Sequence, residues 1–392
     1  MEFEFSKEER VLRKAVRNFA QNELVEQEIN KMEFFPRETM EKIGDLGFLR
    51  LRVPEEYGGV PASWVELGIV TEEIAKGNIA VAYLIMLSFG VSLLLTTYGT
   101  EEAKAKWLPG HCRGTTLGCI AVTEPVCGSD LSEIETQAVE DGSYYQISGE
   151  KSPISYGMNA DFTILFAKTD LEAGTKGLTA FLVPLDLQGI SKSGITNMGL
   201  LPVPSARLTL KEVRIPMKYQ IGKEGEGFDV NTSAGLSSDF FRILSGLIPL
   251  GLAQAALSLA ITHAKNRVAF GRPIAQFQAI SSKIAEDATL IELGRWLCYR
   301  ALWLKDQGSN PAKEAAMCSW WCPKSAYQII EDALLIHGHA GYSDDYPIQQ
   351  MLRDVIAFEM IGGTEEANKL IIGRRVIGKS AIPEGLERDG IY

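Results

Sequence analysis

The spacing of apolar residues changes twice along this 392-residue chain, and the two changes limit the folds that it can adopt. Residues 1–118 have the spacing of helices, residues 119–226 hold short β-branched runs between turn signals, and residues 227–392 return to helical spacing. Strands that are segregated from helices indicate an α+β fold. We therefore predict an N-terminal α-helical domain, a middle antiparallel β domain and a C-terminal four-helix bundle with these boundaries.

Local signals support each part of this division. Ser6, followed three residues later by Glu9, predicts a capping box at the start of a helix over 7–29. In the middle domain, Asp141-Gly142 predicts a hairpin turn. Four long amphipathic segments with short connections favour an antiparallel bundle. These segments are 239–270, 275–308, 311–338 and 347–361.

A run of 17 residues without charge, 79–95, resembles a membrane span at first sight. A span needs about 20 predominantly apolar residues. This run is shorter, contains Ser88, Gly90 and Ser92, and lacks a basic flank. We predict a helix that is buried on all sides and no membrane span.

The composition excludes several classes of protein. The net charge of −11 and the absence of a basic stripe argue against a nucleic-acid binder. The charged N-terminus lacks the apolar region of a secretory signal, so we expect a cytoplasmic protein. Six scattered cysteines without metal-ligand spacing are typical of buried, reduced thiols, and we predict no metal site.

Four motifs carry the chemical information, and each has a plain structural alternative. They read TEP-x-x-GSD at 123–130, R-x-x-FG-x-P-I-x-x-FQ at 267–278, G-x-x-G-Y-x-x-x-YP-x-x-x-x-x-RD at 338–354 and GGT at 362–364. Taken singly, they are hydroxyl-rich or glycine-bearing turns between strands or helices. Arginines beside an aromatic residue and glycine suit a diphosphate, and a helix that starts at Thr364 offers free N–H groups to an anion.

In this order and spacing, the four motifs resemble those of the acyl-CoA dehydrogenase family of flavoproteins, over nearly the whole chain. The resemblance implies FAD between the middle and C-terminal domains, usually in a homotetramer (or a homodimer). It also implies oxidoreductase chemistry on the CH–CH group of an acyl thioester, either acyl-CoA or the pantetheine of a carrier protein. Electron-transferring flavoprotein is the implied electron partner.

The resemblance also implies roles for individual residues. Val122, Thr123 and Ser155 would contact the isoalloxazine ring. The diphosphate and adenosine, reaching a neighbouring subunit, would meet Arg267, Phe270, Gln278 and the turn from Leu335 to His339. Thr364 and Glu366 would contact the adenine half.

Substrate contacts follow from the same comparison of motifs. Ser129, Asp239 and Arg242 match positions that line the pantetheine and thioester channel. The apolar run around Leu84–Phe89 would form the floor of the acyl pocket.

The sequence departs from the family pattern where the chemistry is expected. The family reaction removes a weakly acidic α-proton, for which a positioned carboxylate is needed. One usual glutamate position is Gly362 and the other is Phe241. Pro153 stands where a tryptophan is expected against the flavin, and Leu335 replaces a common glutamine.

The catalytic base therefore stays unassigned from the sequence. Glu359, one turn before Gly362, is one candidate for the base, and its simpler interpretation is a surface glutamate. Asp239 lies two residues before Phe241 and therefore on a different helical face, and its implied role is to bind the ligand. Residues 79–97 contain no acid. Two alternative functions remain open: a flavin monooxygenase or oxidase on the same scaffold, and a paralogue that has lost its redox chemistry.

Overall fold

The computed structural model describes residues 4–24, 32, 35–378 and 380. The predicted end of the first helix, near residue 29, and the last residues of the predicted bundle lie outside this part of the chain. The predicted order of helices, strands and helices is confirmed.

The regular elements of the N-terminal part, among the described residues, are helices. Its helices are α1 Lys7–Phe19, α2 Arg37–Asp45, α3 Trp64–Gly77, α4 Ile79–Tyr98 and α5 Glu101–Cys112. A π-helical turn, Ala20–Leu24, extends α1. The predicted capping box is present, because Ser6 Oγ accepts from the N–H of Glu9 and Glu9 Oε2 accepts from the N–H of Ser6.

Helix α4 is the buried helix that the uncharged run predicts. It packs against α3, α5 and α7 and against the first strand of the sheet. Ile79–Tyr98 and the stretch Gly227–Asn266 are apolar and long enough to cross a membrane, but 89% and 78% of their most apolar windows are buried inside the protein. Both are core elements of this fold.

The middle part is an eight-stranded sheet with the order β6-β7-β3-β2-β4-β5-β8, in which β1 also pairs with β4. The strands are β1 Gly118–Ala121, β2 Gln137–Asp141, β3 Tyr144–Ser155, β4 Phe162–Lys168, β5 Leu178–Pro184, β6 Ile190–Ile195, β7 Ser205–Pro216 and β8 Gln220–Ile221. Most strand pairs are antiparallel, as predicted, but the sheet is mixed, because β1 pairs in parallel with β4 from Gly118↔Phe162 onward and β2 pairs in parallel with β4 at Gln137↔Lys168. The segment between β1 and β4 is long enough to return the chain to the same edge.

The predicted hairpin exists, with its turn one residue later than expected. Asp141 pairs with Tyr144, so that Gly142 and Ser143 form the two-residue loop. Gly142 has φ +63°, a conformation that favours glycine at this point of a tight hairpin.

The C-terminal part begins with α6 Gly227–Ala234 and is built mainly from long helices. These are α7 Asp239–Asn266, α8 Gln278–Asp306 and α9 Ala312–His337. A small hairpin, β9 Val268–Ala269 with β10 Arg272–Pro273, connects α7 to α8. Helix α7 packs against α3, α8 and α9, and this contact joins the bundle to the N-terminal helices.

The predicted fourth long segment, 347–361, is not one helix. After the short α10 His339–Tyr342, the chain forms α11 Ile348–Val355, tightens to a 3₁₀ turn at Ile356–Glu359, and starts α12 Glu365–Ile377. The tightening directs Phe358 into the core, where it is fully buried. Helices α11 and α12 both pack against α9.

All six cysteines are free and buried, as the composition predicts. Within the described residues there is no group of histidine, cysteine and acidic side chains arranged to hold a metal ion.

A buried carboxylate joins α1 to α3. Glu73 has a fully buried side chain that accepts hydrogen bonds from Arg13 Nε at 2.7 Å, Arg17 Nε at 2.9 Å and Lys76 Nζ at 2.8 Å. Burial by itself raises the pKa of Glu73, but the bonds from Arg17, Lys76 and Arg13 outweigh it and lower the pKa to about 2.

Replacing Glu73 with glutamine tests this junction. Because the folded-state pKa is depressed, the stabilisation is present above the ordinary value of 4.5 and disappears as the pH falls toward 2. We expect Glu73→Gln to lower the free energy of unfolding by up to about 3 kcal/mol at pH 7 and by little at pH 2. Denaturant unfolding at both pH values measures this difference. Glu140→Gln, on an exposed strand position, should change stability by less than about 0.5 kcal/mol.

Candidate active site

A cavity of about 1020 Å³ lies where α4, the sheet, α7 and the segment before α12 meet. This volume is at the upper end of the roughly 300–1,000 Å³ that small-molecule and cofactor sites occupy. Its wall combines apolar side chains, such as Leu87 and Ile120, with hydroxyl groups and main chain from glycine-bearing turns.

Seven of the residues implied by the resemblance line this one cavity. They come from four separate elements of the chain, which only the tertiary fold brings together. They are Val122, Thr123, Ser129, Ser155, Asp239, Arg242 and Thr364. Gly362, Phe241 and Pro153, the three positions at which the sequence departs from the family pattern around the cavity, line it as well.

The other six implied residues lie away from the cavity on exposed parts of the chain. They are Arg267, Phe270, Gln278, Leu335, His339 and Glu366. Phe270 is 95% exposed at the tip of the β9–β10 hairpin, and Leu335 is 60% exposed on α9. Their implied role across a subunit interface stays a prediction.

A buried ion pair fixes the main chain on the sheet side of the cavity. Lys151 Nζ donates to Glu124 Oε1 at 2.7 Å and to the carbonyl of Val122 at 2.9 Å. The carboxylate of Glu124 also accepts from the N–H groups of Glu135 and Thr136. Burial lowers the pKa of Lys151 to about 8 against the opposing effect of Glu124. The pair holds the Val122–Thr123 main chain in the cavity wall.

The strand that carries Lys151 ends in the cavity. The Ser152–Pro153 peptide bond is cis, and Pro153, Ile154 and Ser155 follow one another along the wall. The main-chain N–H of Ser152 donates to the carbonyl of Thr123 at 2.9 Å. The TEP motif and the end of β3 are thus one hydrogen-bonded unit.

A tyrosine from α4 reaches the same point. Tyr83 Oη donates to Ser155 Oγ at 2.8 Å, and both side chains line the cavity. The Tyr83 ring meets Phe358 edge to face, with 5.7 Å between centroids. Burial raises the pKa of Tyr83 to about 12, although the bond to Ser155 opposes this shift.

The charge in the cavity is mostly positive. Among the described residues, its charged lining consists of Asp239, Arg242, Arg353 and Arg375. Arg242 Nη1 and Asp239 Oδ1 are 3.9 Å apart, and Arg242 Nε is buried without a hydrogen-bond partner. Burial lowers the pKa of Arg242, and the charge of Asp239 acts in the opposite direction.

Gly362 occupies a backbone conformation that disfavours a side chain. Its φ is +84°, in the left-handed region, and a Cβ atom there would lie 2.8 Å from Ser245 Oγ and 3.1 Å from Ser319 Oγ. Asn368 Nδ2 donates to the carbonyls of Gly363 and Thr364 and to Ser319 Oγ, which fixes the turn. The absence of a glutamate at 362 is therefore part of the local backbone geometry.

No carboxylate replaces this glutamate within the described part of the chain. Phe241 is buried and packs its ring against Gly90 of α4. Glu359 lies in the 3₁₀ turn outside the cavity lining, close enough to Lys324 for their charges to interact. Asp239 is the one carboxylate that the described residues place in the wall.

The residues present fit FAD. Arg353 Nε and Asn231 Oδ1 are buried polar atoms without partners in residues of the cavity wall. Helix α12 begins there with its N-cap at Thr364, whose Oγ1 accepts from the N–H of Ala367. The remaining first-turn N–H groups have no partner inside the helix, so they suit an anionic ligand.

Sequence reasoning missed two residues that shape this site. Lys151 and Tyr83 stand in runs that give no chemical signal, because a buried lysine and a core tyrosine follow from tertiary contacts. Asp354, the last residue of the motif at 338–354, lies next to the cavity lining at Arg353. In the structure, it accepts from the N–H of Leu200 at 2.6 Å and from Gln350, and burial raises its pKa to about 6.

Breaking the buried ion pair should affect both the fold and the cavity. Lys151→Met leaves the Glu124 carboxylate buried without its counter-ion, for which we expect a loss of about 3–5 kcal/mol in unfolding free energy. FAD affinity, measured by flavin fluorescence, should fall because the Val122 carbonyl loses its donor. Arg214→Met removes an exposed pair with Asp141 and should cost less than about 1 kcal/mol. Equal effects of the two variants would contradict this role of Lys151.

Side chains at position 362 should be destabilising, whatever their chemistry. We expect Gly362→Ala to cost at least about 1–3 kcal/mol in unfolding free energy, because of its positive φ and the contact with Ser245. Gly362→Glu should cost at least as much and should not simply restore a base. Gly373→Ala, in the middle of α12 with no atom within 4 Å of the added Cβ, should be neutral or stabilising. Thermal unfolding of the three variants measures this; a fully stable Gly362→Ala would contradict the assigned backbone.

Comparison with known proteins agrees with this architecture. Family models described as acyl-CoA dehydrogenase N-terminal, middle and C-terminal domains match residues 6–115, 119–213 and 225–377. The chain is 36% identical to a 3-(aryl)acrylate reductase of Clostridium sporogenes, over 95% of this chain and 99% of the relative. It is 33% identical to a protein of Acetobacterium woodii named caffeyl-CoA reductase-Etf complex subunit CarC, over 96% and 100%.

A solved structure gives the same result for the fold. Butyryl-CoA dehydrogenase from Megasphaera elsdenii superposes with a TM-score of 0.91 at 29% identity, covering 96% of this chain and 100% of that one. The three matched domains, in the order of the predicted parts, account for most of the chain. The chain therefore belongs to the acyl-CoA dehydrogenase family and is an FAD-dependent oxidoreductase.

Proposed function

We propose that this protein binds FAD and an acyl thioester side by side in the cavity and moves hydrogen between the flavin and the CH–CH group of the acyl chain. The single observation that carries the proposal is the convergence of the Val122–Thr123 main chain, Ser155, Arg242 and Thr364 on one cavity. FAD supplies hydride transfer when it is bound. Every other element of the chemistry has to come from side chains of this wall.

The flavin side of the site would be formed by main chain and hydroxyl groups. Val122, Thr123 and Ser155 would hold the ring system, with the N-terminus of α12 at Thr364 near the polar part of the cofactor. The buried pair of Lys151 and Glu124 supports this arrangement, because it fixes the carbonyl of Val122.

The thioester side would lie between α4 and α7. Ser129, Asp239 and Arg242 would contact the pantetheine and thioester, and Leu87 and Ile120 offer apolar wall to an acyl chain. Arg242 can donate to a carbonyl oxygen, since its Nε has no partner in the protein. The pantetheine could belong to CoA or to a carrier protein, and both fit the same residues.

The exposed residues among those implied to contact FAD favour an oligomer of this chain. We propose that Arg267, Phe270, Gln278, Leu335 and His339 complete the FAD site of a neighbouring subunit in a homotetramer (or a homodimer), and that Glu366 contacts the adenine half. A phenylalanine that is 95% exposed supports this, because large apolar side chains at such positions commonly lie in contacts between proteins.

The remaining expectations belong to the same proposal. The domain boundaries after residues 118 and 226 are supported by family models that end at 115 and 213 and resume at 119 and 225. An electron-transferring flavoprotein as electron partner is supported by the name of the Acetobacterium woodii relative. A cytoplasmic location agrees with the buried state of all six thiols.

Anaerobic flavin spectroscopy tests the proposed function. The FAD-loaded protein is titrated with butyryl-CoA, 3-phenylpropionyl-CoA and their pantetheine analogues. The chemically reduced protein is titrated with the corresponding 2-enoyl thioesters. We expect the visible flavin absorbance to change in at least one direction, with conversion of the acyl group by mass spectrometry. Arg242→Met should weaken thioester binding by at least tenfold, because it removes a buried guanidinium from the wall, and Arg214→Met should not.

Three outcomes would replace the proposal. Bound FAD that no thioester reduces or reoxidises would favour a paralogue without redox chemistry. A colourless protein that takes up no added FAD would favour such a paralogue more strongly. Stoichiometric oxygen consumption with a hydroxylated product would identify the monooxygenase alternative.

A further inference from the structure

An aromatic ring closes the cavity along one face of α4. Tyr83 and Leu87 line the cavity and lie on the same helical face as Gly90, but Gly90 is not part of the described lining. The ring of Phe241 covers Gly90 instead, because a Cβ atom at Gly90 would lie 3.6 Å from Phe241 Cε2 and 3.2 Å from Ile120 Cδ1. Both of these side chains line the cavity, so on this face the cavity ends where they meet α4.

Contacts outside the cavity hold the Phe241 ring in this place. Phe240, which is not in the described lining, meets the ring edge to face with 5.9 Å between centroids. Phe240 in turn packs against Trp64 at 5.5 Å between centroids, and the guanidinium of Arg52 lies 4.0 Å from the Trp64 centroid. An acyl chain that displaced the Phe241 ring would have to break its contacts with α4 and with Phe240.

We propose that Phe241 sets the longest acyl chain that the cavity accepts, and that the substrates are thioesters of short acyl groups. This inference rests on the proposed function, which places the thioester at Arg242. Phe241 directly precedes Arg242 on α7, so the ring is close to the proposed position of the thioester. Ile120 meets α4 at the same point as the ring, and Leu87 is one turn before that point. The apolar wall that suits an acyl chain therefore ends at Phe241.

The physical limit on the chain is the volume that the ring occupies. Each CH₂ group that the wall buries should tighten binding about fourfold. A chain that ends before Phe241 gains this factor with every added CH₂, whereas a longer chain has to enter space that the packed ring already fills. Gly90 makes this arrangement possible, because the absence of a side chain there leaves room for the ring against α4.

Binding of a series of acyl groups to the unaltered protein is the first test. Butyryl-, hexanoyl-, octanoyl- and decanoyl-pantetheine carry the part that CoA and a carrier protein share. They are titrated anaerobically into the chemically reduced, FAD-loaded protein. A saturated chain cannot accept hydrogen from a reduced flavin, so calorimetry measures binding without turnover. We expect the gain of about fourfold per CH₂ to stop at or before the hexanoyl group.

Enlarging the cavity is the second test, with a matched phenylalanine as control. We expect Phe241→Ala to bind octanoyl-pantetheine at least tenfold more tightly than the unaltered protein does, because two further CH₂ groups become buried. The affinity for butyryl-pantetheine should not rise. Phe166→Ala removes an equally buried ring from β4, outside the described lining, and should leave the order of affinities unchanged.

A milder substitution covers the case in which Phe241→Ala does not fold. Phe241→Leu keeps an apolar side chain over Gly90 and leaves a smaller cavity, so it should cost less stability. We expect it to bind octanoyl-pantetheine about threefold to tenfold more tightly than the unaltered protein does. Thermal unfolding of all the variants shows which of them are folded at the temperature of the titrations.

The outcomes separate this inference from the proposed function. If no acyl-pantetheine binds and no thioester changes the flavin spectrum, both fail. If acyl-pantetheines bind and the unaltered protein keeps gaining affinity up to the decanoyl group, only the role of Phe241 is overturned. The same holds if the folded Phe241 variants keep the order of affinities of the unaltered protein. A gain that stops by the hexanoyl group, and that extends to the octanoyl group only in the Phe241 variants, supports the inference.

Discussion

Burial of α4 is the constraint on which the rest of the structure depends. This helix has no charged residue and almost no exposed surface, so the chain must surround it with apolar partners. The N-terminal helices, the first strand of the sheet and α7 each cover part of it. Burying a large apolar side chain contributes about 1.5–3 kcal/mol, and most side chains of α4 are buried. The cavity lies at the junction that this packing creates, and Tyr83 and Leu87 are the side chains that α4 exposes to it.

Around this helix, several buried polar side chains hold segments of the main chain in place through hydrogen bonds. Lys151 and Glu124 fix the Val122–Thr123 segment, and Asn368 fixes the turn at Gly362-Gly363. Such groups are costly to bury unless they are hydrogen-bonded, and Lys151 Nζ, the Glu124 carboxylate and Asn368 Nδ2 each make several hydrogen bonds. The main chain is therefore hydrogen-bonded on the side of the wall where a cofactor would contact it, and unpartnered polar atoms in the described lining belong to Asn231, Arg242 and Arg353.

The absence of the usual glutamate agrees with the backbone at Gly362 and with the packing of Phe241. At Gly362, the backbone is in a conformation that glycine adopts without strain, and the space of a Cβ atom is taken by Ser245 and Ser319. At Phe241, a buried ring fills the other position against α4. Both departures are built into the packing around the cavity. A positively charged wall with one carboxylate among its described residues favours the binding of electron-rich groups.

The sequence by itself determined the order of helices, strands and bundle, the burial of residues 79–95, the N-cap at Thr364 and the motifs that identify the family. These features follow from local periodicity, capping and spacing, which a sequence carries directly. It did not reveal that β1 pairs in parallel with β4, that the fourth bundle segment breaks into α11, a 3₁₀ turn and α12, or that Lys151 and Tyr83 belong to the site. Only the tertiary structure decided these points, because strand partners, the space around Gly362 and the bond from Tyr83 to Ser155 depend on residues far apart in the chain.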